Sequence, residues 1–281
     1  MSRALSFTDH GRDLDRNRYV YAVVSRRARG LSIGVNLNPD KVCNFDCPYC
    51  QVDRSTPGAG PGVVVGALVA ELDALCGRLE DGTLWSHPLF ATAAPELRRV
   101  IDIAFAGDGE PTTPREFGDA ARAVRELRDR RGLRVPLRLL TNATLLDRPR
   151  VRRALPLFDE LWCKLDAGTE GHFQRVDGTR FPFRKILDNL LATARDRPIV
   201  IQSMFPSWEG RGPDDEEVGA FVERLREIAL GGGRITLVQI YTVARPPADA
   251  RIGALSEERL GRIADEVRAA GLAAEVYGGS A

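Results

Sequence analysis

Cys43, Cys47 and Cys50 fall within eight residues as a C-x3-C-x2-C, in the segment Cys43-Asn44-Phe45-Asp46-Cys47-Pro48-Tyr49-Cys50. Thiolates are soft ligands that suit zinc or an iron–sulfur cluster. A structural zinc wants four protein ligands, and the nearest histidines, His10 and His87, are far away in sequence. A 4Fe–4S cube held by three cysteines keeps one iron open to an external ligand, unlike a four-cysteine electron carrier. Three close thiolates without a fourth therefore point to a cluster that binds a substrate or cofactor. The other two cysteines, Cys76 and Cys163, are isolated. Cys76 lies on a helical apolar stripe and reads as a small buried hydrophobe, and Cys163 is expected to pack against helices.

The elements that must hold such a loop alternate between strand and helix. Residues 1–18 read as a loose lead-in and 19–281 as one domain. Strands are predicted at Tyr19 to Val24, Leu31 to Leu37, Val100 to Ala106, Leu137 to Leu140, Leu161 to Leu165, Ile199 to Met204 and Ile235 to Tyr241. Between them the apolar spacing predicts helices over 65–79, 184–195, 214–230 and 256–270. Thr113-Pro114-Arg115-Glu116 reads as a capping box opening a helix that stops at Gly132. A short arginine-rich helix is expected near 148–155. Repeated strand–helix units imply a parallel sheet with helical crossovers. Six such units suggest an α/β fold of the partial (βα)6 TIM-type barrel class, and an open doubly wound sheet satisfies the same pattern.

A cysteine loop after a strand that opens such a series resembles the radical S-adenosylmethionine (SAM) superfamily. The resemblance implies a 4Fe–4S cluster whose open iron chelates SAM. It also implies reductive cleavage of SAM to a 5′-deoxyadenosyl radical that abstracts hydrogen from a substrate, at the C-terminal ends of the barrel strands. Tyr49 occupies the aromatic position of the loop, whose neighbourhood contacts adenine in that family. Gly107-Asp108-Gly109-Glu110-Pro111 resembles the family's glycine-glycine-glutamate motif, where a carboxylate accepts hydrogen bonds from the SAM ammonium. Thr141-Asn142-Ala143 resembles a strand-end element of other members. Lys164-Leu165-Asp166-Ala167-Gly168 matches a Ser-x-Asp-Gly pattern with lysine in place of serine. Lys164 and Asp166 share a strand face, so Lys164 is expected to neutralise the SAM carboxylate while Asp166 hydrogen-bonds nearby; a plain buried ion pair is the alternative. Gln202 and Ser203 on the fifth strand, and Tyr241 to Arg245 on the sixth, are expected to meet ribose, adenine or substrate. Roles for His172 as a proton carrier and for Lys41 beyond the loop's rim are weaker candidates.

Composition narrows the partners. The 281 residues carry 40 Lys+Arg against 39 Asp+Glu, a formal net charge of +1, so bulk charge names no polyelectrolyte partner. Only Lys41, Lys164 and Lys185 are lysines among the basic residues. No run of roughly 18–20 apolar residues is present to span a bilayer, and the N-terminus lacks an apolar signal core. A cytoplasmic protein without a membrane partner is expected. The wording of several segments, Tyr21 through Arg27 and Ile240 to Pro247 among them, resembles the proteins grouped around wyosine-type tRNA synthetases. That tRNA-modifying enzyme carries a second cluster on cysteines upstream of the triad, and no cysteine precedes Cys43 here. Three readings follow. The first is a single-cluster radical SAM enzyme acting on a small-molecule or peptide-like substrate, with an electron donor such as flavodoxin or ferredoxin. The second is a tRNA-modifying enzyme in which Arg26, Arg27, Arg29 and the run Arg148, Arg150, Arg152, Arg153 meet phosphates. The third is a non-enzymatic iron–sulfur or zinc module.

Overall fold

The apolar runs of the sequence lie as strands in a computed structural model that describes residues 17–25, 30–60, 62–245, 247 and 249–278. Most of the 1–18 lead-in and the basic segment Arg26-Arg27-Ala28-Arg29 lie outside the described residues. The chain divides into two units, the first comprising the described parts of Met1–Val42, Thr56–Leu140 and Pro149–Asp159.

In the first unit β1 (Val20–Ser25) runs antiparallel to β2 (Gly30–Val35). Helix α1 (Val65–Glu80) follows and buries Leu68, Leu72, Leu75 and Cys76, the stripe expected from the spacing. β2 pairs in parallel with β3 (Val100–Phe105). Every residue of β2 is buried, as a strand covered on both faces must be. After α2 (Phe117–Arg130) comes β4 (Leu137–Thr141), parallel to β3, and then the short α3 (Pro149–Arg152). Phe158 packs edge-on to Phe105 at 5.1 Å and stacks on Phe117 at 5.7 Å, closing the core between sheet and α2. The Glu71 carboxylate on α1 accepts the backbone amides of Arg18, Tyr19 and Val20 at 2.9, 2.8 and 2.9 Å, which fixes the start of β1. The capping box does not form: α2 begins at Phe117 and its N-cap makes no side-chain bond. The Thr113 hydroxyl is engaged elsewhere, donating to the Glu110 carbonyl at 2.7 Å and accepting from Asn38 at 3.0 Å.

The second unit takes Cys43–Ser55, Thr141–Arg148 and Glu160–Ala281. It opens with β5 (Glu160–Lys164), α4 (Glu170–Val176), α5 (Phe183–Asp196) and β6 (Ile199–Met204). Then come β7 (Pro206–Trp208), α6 (Asp215–Leu230), β8 (Ile235–Tyr241), β9 (Ile252–Ala254), α7 (Glu257–Ala269) and β10 (Ala274–Tyr277). β5, β6, β8 and β10 are successive parallel neighbours, while β7 and β9 form a small antiparallel pair. α6 starts as its sequence predicts, with Asp214 accepting the Glu217 amide at 2.9 Å and three acidic residues in the positive first turn. Glu217 is itself buried and turns its carboxylate to the exit of β5. There it accepts the Gly168 amide and the Thr169 hydroxyl, both at 2.6 Å, and the Thr169 amide at 3.3 Å. Among the described residues no helix is long and apolar enough to cross a membrane.

Candidate functional site

The cysteine loop belongs to the second unit and is fixed there by its non-cysteine residues. Phe45 is buried and packs edge-on to Phe173 of α4 at 5.7 Å. Asn44, Asn142 and Thr144 form a closed ring of side chains. Asn142 donates to Asn44 and Asn44 to the Thr144 hydroxyl, while that hydroxyl donates to Asn142, each at 2.7 Å. The turn after α4 supplies a third support. Gly178 has φ of +57°, and a side chain there would run into the backbone of Asp46. Asn142, expected beside the cofactor, is thus placed to hold the cysteine loop.

Cys43, Cys47 and Cys50 are free thiols, all half-buried. The Cys50 amide bonds the Cys47 carbonyl at 2.8 Å, a tight turn between the two cysteines. Two of the three sulfurs have a cationic donor, Arg54 at 3.8 Å from Cys50 Sγ and Lys164 at 3.1 Å from Cys47 Sγ. Each offers a hydrogen bond that the sulfur ligand of a cluster can accept. Among the described residues no three His, Cys, Asp or Glu side chains stand closely enough to share one metal ion. A cube does not require that, because each thiolate bonds a different iron, so the donor set fits a three-cysteine cluster.

At the C-terminal end of β5 Lys164 gathers two carboxylates, a thiol and two aromatic rings. Lys164 Nζ forms an ion pair with Asp177, lies 3.3 Å from Asp166 Oδ2, and sits over the Tyr49 ring at 4.8 Å and the Phe45 ring at 5.4 Å. Asp166 is fully buried; it accepts the Met204 amide at 3.0 Å on one oxygen and the Tyr49 hydroxyl on the other. Burial works against the Lys164 ammonium, but Asp166, Asp177 and Cys47 outweigh it and hold its pKa well above the ordinary value. Burial pushes the Cys47 thiol up to about 12, against the pull of Lys164. Burial also raises Asp177 to about 7, with Lys164 opposing, and it raises Tyr49, with Asp166 adding to the effect. Tyr49 therefore stays a neutral donor to Asp166. Asp177 was not among the expected site residues; Val176-Asp177-Gly178 reads in sequence as a turn after a helix and nothing more.

The remaining candidates separate by strand face. Lys164 is paired with Gln202, Gln202 with Gln239, and Met204 with Tyr241, so these side chains share one face. Gln202 donates to Gln239 at 2.9 Å within the buried row. Ser203 is turned by the same alternation to the opposite face, alongside Cys163, and its buried hydroxyl has no partner among the described residues. That placement separates it from the Lys164 face. The Arg245 carbonyl accepts from Gln51 on the cysteine loop at 2.9 Å. His172 lies on α4, its pKa lowered mainly by burial. Gly107 to Glu110 belong to the first unit. The Asn36 amide donates to Asp108 at 2.7 Å, and the buried Glu110 carboxylate accepts the Thr112 hydroxyl at 2.6 Å. Side chains at Gly107 and Gly109 would meet the Asn36 side chain and the Val42 carbonyl. Lys41 bonds Thr56 at 2.6 Å.

Comparison with known proteins places the fold and the family. A radical SAM methyltransferase from Sphaerobacter thermophilus superposes with a TM-score of 0.65 at 18% identity, over 95% of this chain and 71% of that one. A structure of TYW1 with a lysine-pyruvate adduct bound superposes with a TM-score of 0.57 at 13% identity, over 89% and 84%. These likenesses establish the α/β partial-barrel fold. A protein named GTPase Obg from Brachyspira hyodysenteriae is 26% identical over 176 residues, 62% of this chain and 23% of its own length. A UPF0026 protein of Synechocystis is 27% identical over 167 residues, 56% of this chain and 52% of its own length. The chain spans about a quarter of the first relative and about half of the second. Residues 37–225, from just past β2 into α6, match the family model for the radical SAM superfamily, and the chain belongs to that superfamily, whose enzymes use a 4Fe–4S cluster and SAM.

Proposed function

We propose that Cys43, Cys47 and Cys50 hold the cluster of a radical SAM enzyme that abstracts hydrogen from a small-molecule or peptide-like substrate. When bound, the cluster supplies the electron that cleaves SAM to methionine and a 5′-deoxyadenosyl radical. The observation that carries this reading is the support of the cysteine loop. Three independent anchors, the Asn44–Asn142–Thr144 ring, Phe45 on α4 and the Asp46–Gly178 contact, hold a loop whose three thiols are left without disulfide partners. A loop so fixed, with cations on two of its sulfurs, is preorganised to bind soft metal.

The chain's own residues then divide into tasks. Asp166 orients Tyr49 by accepting its hydroxyl, so that the ring is held against the Lys164 side chain. Gln202 and Tyr241, on the Lys164 face, are candidates to line the cofactor or substrate; Gly107 to Glu110 are candidates for the SAM amino group through the Glu110 carboxylate. Arg245 remains a candidate for substrate. A one-electron reductant of the flavodoxin or ferredoxin class, in the cytoplasm, completes the system.

The test is anaerobic reconstitution. About four irons per chain, and 5′-deoxyadenosine formed on reduction with SAM, are expected. Alanine at Cys43, Cys47 or Cys50 should abolish both, and a triple-cysteine variant that still cleaves SAM overturns the proposal.

A further inference from the structure

We infer that Lys164 is a positioning residue of the cluster rather than a partner of the SAM carboxylate: it donates a hydrogen bond to the Cys47 sulfur and thereby raises the cluster's reduction potential. The inference rests on the three-cysteine cluster proposed above.

An ammonium has three N–H groups and no acceptor. Lys164 Nζ has three anionic or potentially anionic neighbours within 3.3 Å: Asp177, Asp166 and Cys47. Asp177 and Cys47 each take an N–H, and the Asp166 carboxylate stands against the remaining side of the ammonium at 3.3 Å, where a carboxylate arriving from solvent would have to displace it. The side chain has little freedom to turn away. It is capped by the faces of Tyr49 and Phe45, and its two carboxylate partners are 0% and 1% exposed. Removing the cation from two buried carboxylates would leave both uncompensated.

The chemistry of a compact cation explains the residue type. In a chain with three lysines among 40 basic residues, the position at the Cys47 sulfur holds a lysine. A guanidinium is a planar fork suited to one bidentate partner, whereas an ammonium is a point charge that serves three partners arranged around it. Hydrogen bonds and positive charge at the sulfurs make a cluster easier to reduce. Asp177 approaches the same sulfur, with its Oδ1 at 3.7 Å from Cys47 Sγ, and carries the opposite charge. The pair therefore sets the potential by opposing contributions, with Lys164 the nearer group.

The experiment is a potentiometric titration of the reconstituted protein, followed by the spin-resonance signal of the reduced cluster, for the unmodified chain, Lys164→Gln and Asp177→Asn. Lys164→Gln is expected to lower the one-electron reduction equilibrium about tenfold, which is about 59 mV, with the SAM dissociation constant unchanged. Asp177→Asn is expected to shift the potential upward. Lys164→Arg, which keeps the charge but not the three-way geometry, should recover only part of the loss. An unchanged potential in Lys164→Gln together with weakened SAM binding overturns the inference in favour of a SAM contact. If Lys164→Gln does not take up iron, Asp177→Asn decides: an upward shift supports the inference and no shift overturns it. Failure of the underlying reading looks different, since the unmodified protein would then take up zinc or nothing and form no 5′-deoxyadenosine.

Discussion

Gly178 stands directly against the backbone of Asp46, so the turn after α4 and the cysteine loop meet without a side chain between them. Its φ of +57° adds a second demand for glycine. A left-handed residue with a Cβ costs roughly 1–2 kcal/mol, and the displaced loop adds to that. Gly178→Ala should lower stability by more than about 2 kcal/mol and leave iron incorporation incomplete. Chemical denaturation of the apoprotein and iron analysis after reconstitution measure the two effects separately. A fully loaded variant of ordinary stability would refute the contact's importance.

Glu217 ties the start of α6 to the exit of β5 through two amides and one hydroxyl. Glu217→Ala leaves the buried Gly168 amide unsatisfied, at about 1–3 kcal/mol, while the donors of the exposed Thr169 can turn to water. Glu217→Gln keeps an acceptor oxygen and should lose distinctly less. Urea midpoints of the two variants give the comparison, and equal losses would mean the carboxylate's hydrogen bonds contribute little.

The Asn44–Asn142–Thr144 ring couples the turn at residues 142–144 to the cysteine loop. Asn142→Ala opens it and should cost about 1 kcal/mol of global stability, while iron retention under a chelator falls more sharply. Melting temperature and the rate of iron loss to a chelator separate the two. Equal behaviour of variant and parent under chelator would show that the ring does not steady the loop.

Arg150 belongs to the basic run that invites a tRNA reading, but its guanidinium donates to the Pro114 carbonyl at 2.8 Å and the Thr113 carbonyl at 3.0 Å. Arg150→Ala should therefore reduce stability by about 1 kcal/mol. Charge reversal at Arg150, Arg152 and Arg153 should leave any tRNA association and its salt dependence unchanged. A steep salt dependence that the reversals abolish would establish a phosphate-binding face and favour the tRNA-modifying activity.

The parts of the site that were legible in the sequence are those with local spacing. The thiol triad is separated by four and three positions, and strand parity alone puts Lys164 on one face and Cys163 on the other. Asp177 was not legible, because its partners Lys164 and Cys47 lie on other elements, Cys47 130 residues away, and nothing local marks the carboxylate. The capping box misled for the same reason. Thr113 has the right neighbours in sequence, yet Asn38, 75 residues distant, takes its hydroxyl. Among the elements, β7, β9 and β10 span three, three and four residues, too short for a period of two to declare itself. Ser203 shows the limit of reading strand ends as a group: adjacent residues there face opposite ways, and the pairing puts Gln202 rather than Ser203 on the Lys164 face.

Cys76 and Cys163 are 1% and 0% exposed, while the three loop cysteines are half-buried. This contrast makes the chain its own gauge of assembly. A thiol-alkylating reagent applied to the folded, iron-free protein should label the loop, with Cys47 slowest because burial raises its thiol, and spare the two interior thiols, and unfolding then reveals the full five. The ratio of native to denatured labelling in any preparation reads the fraction of molecules whose loop is occupied, without recourse to colour or turnover.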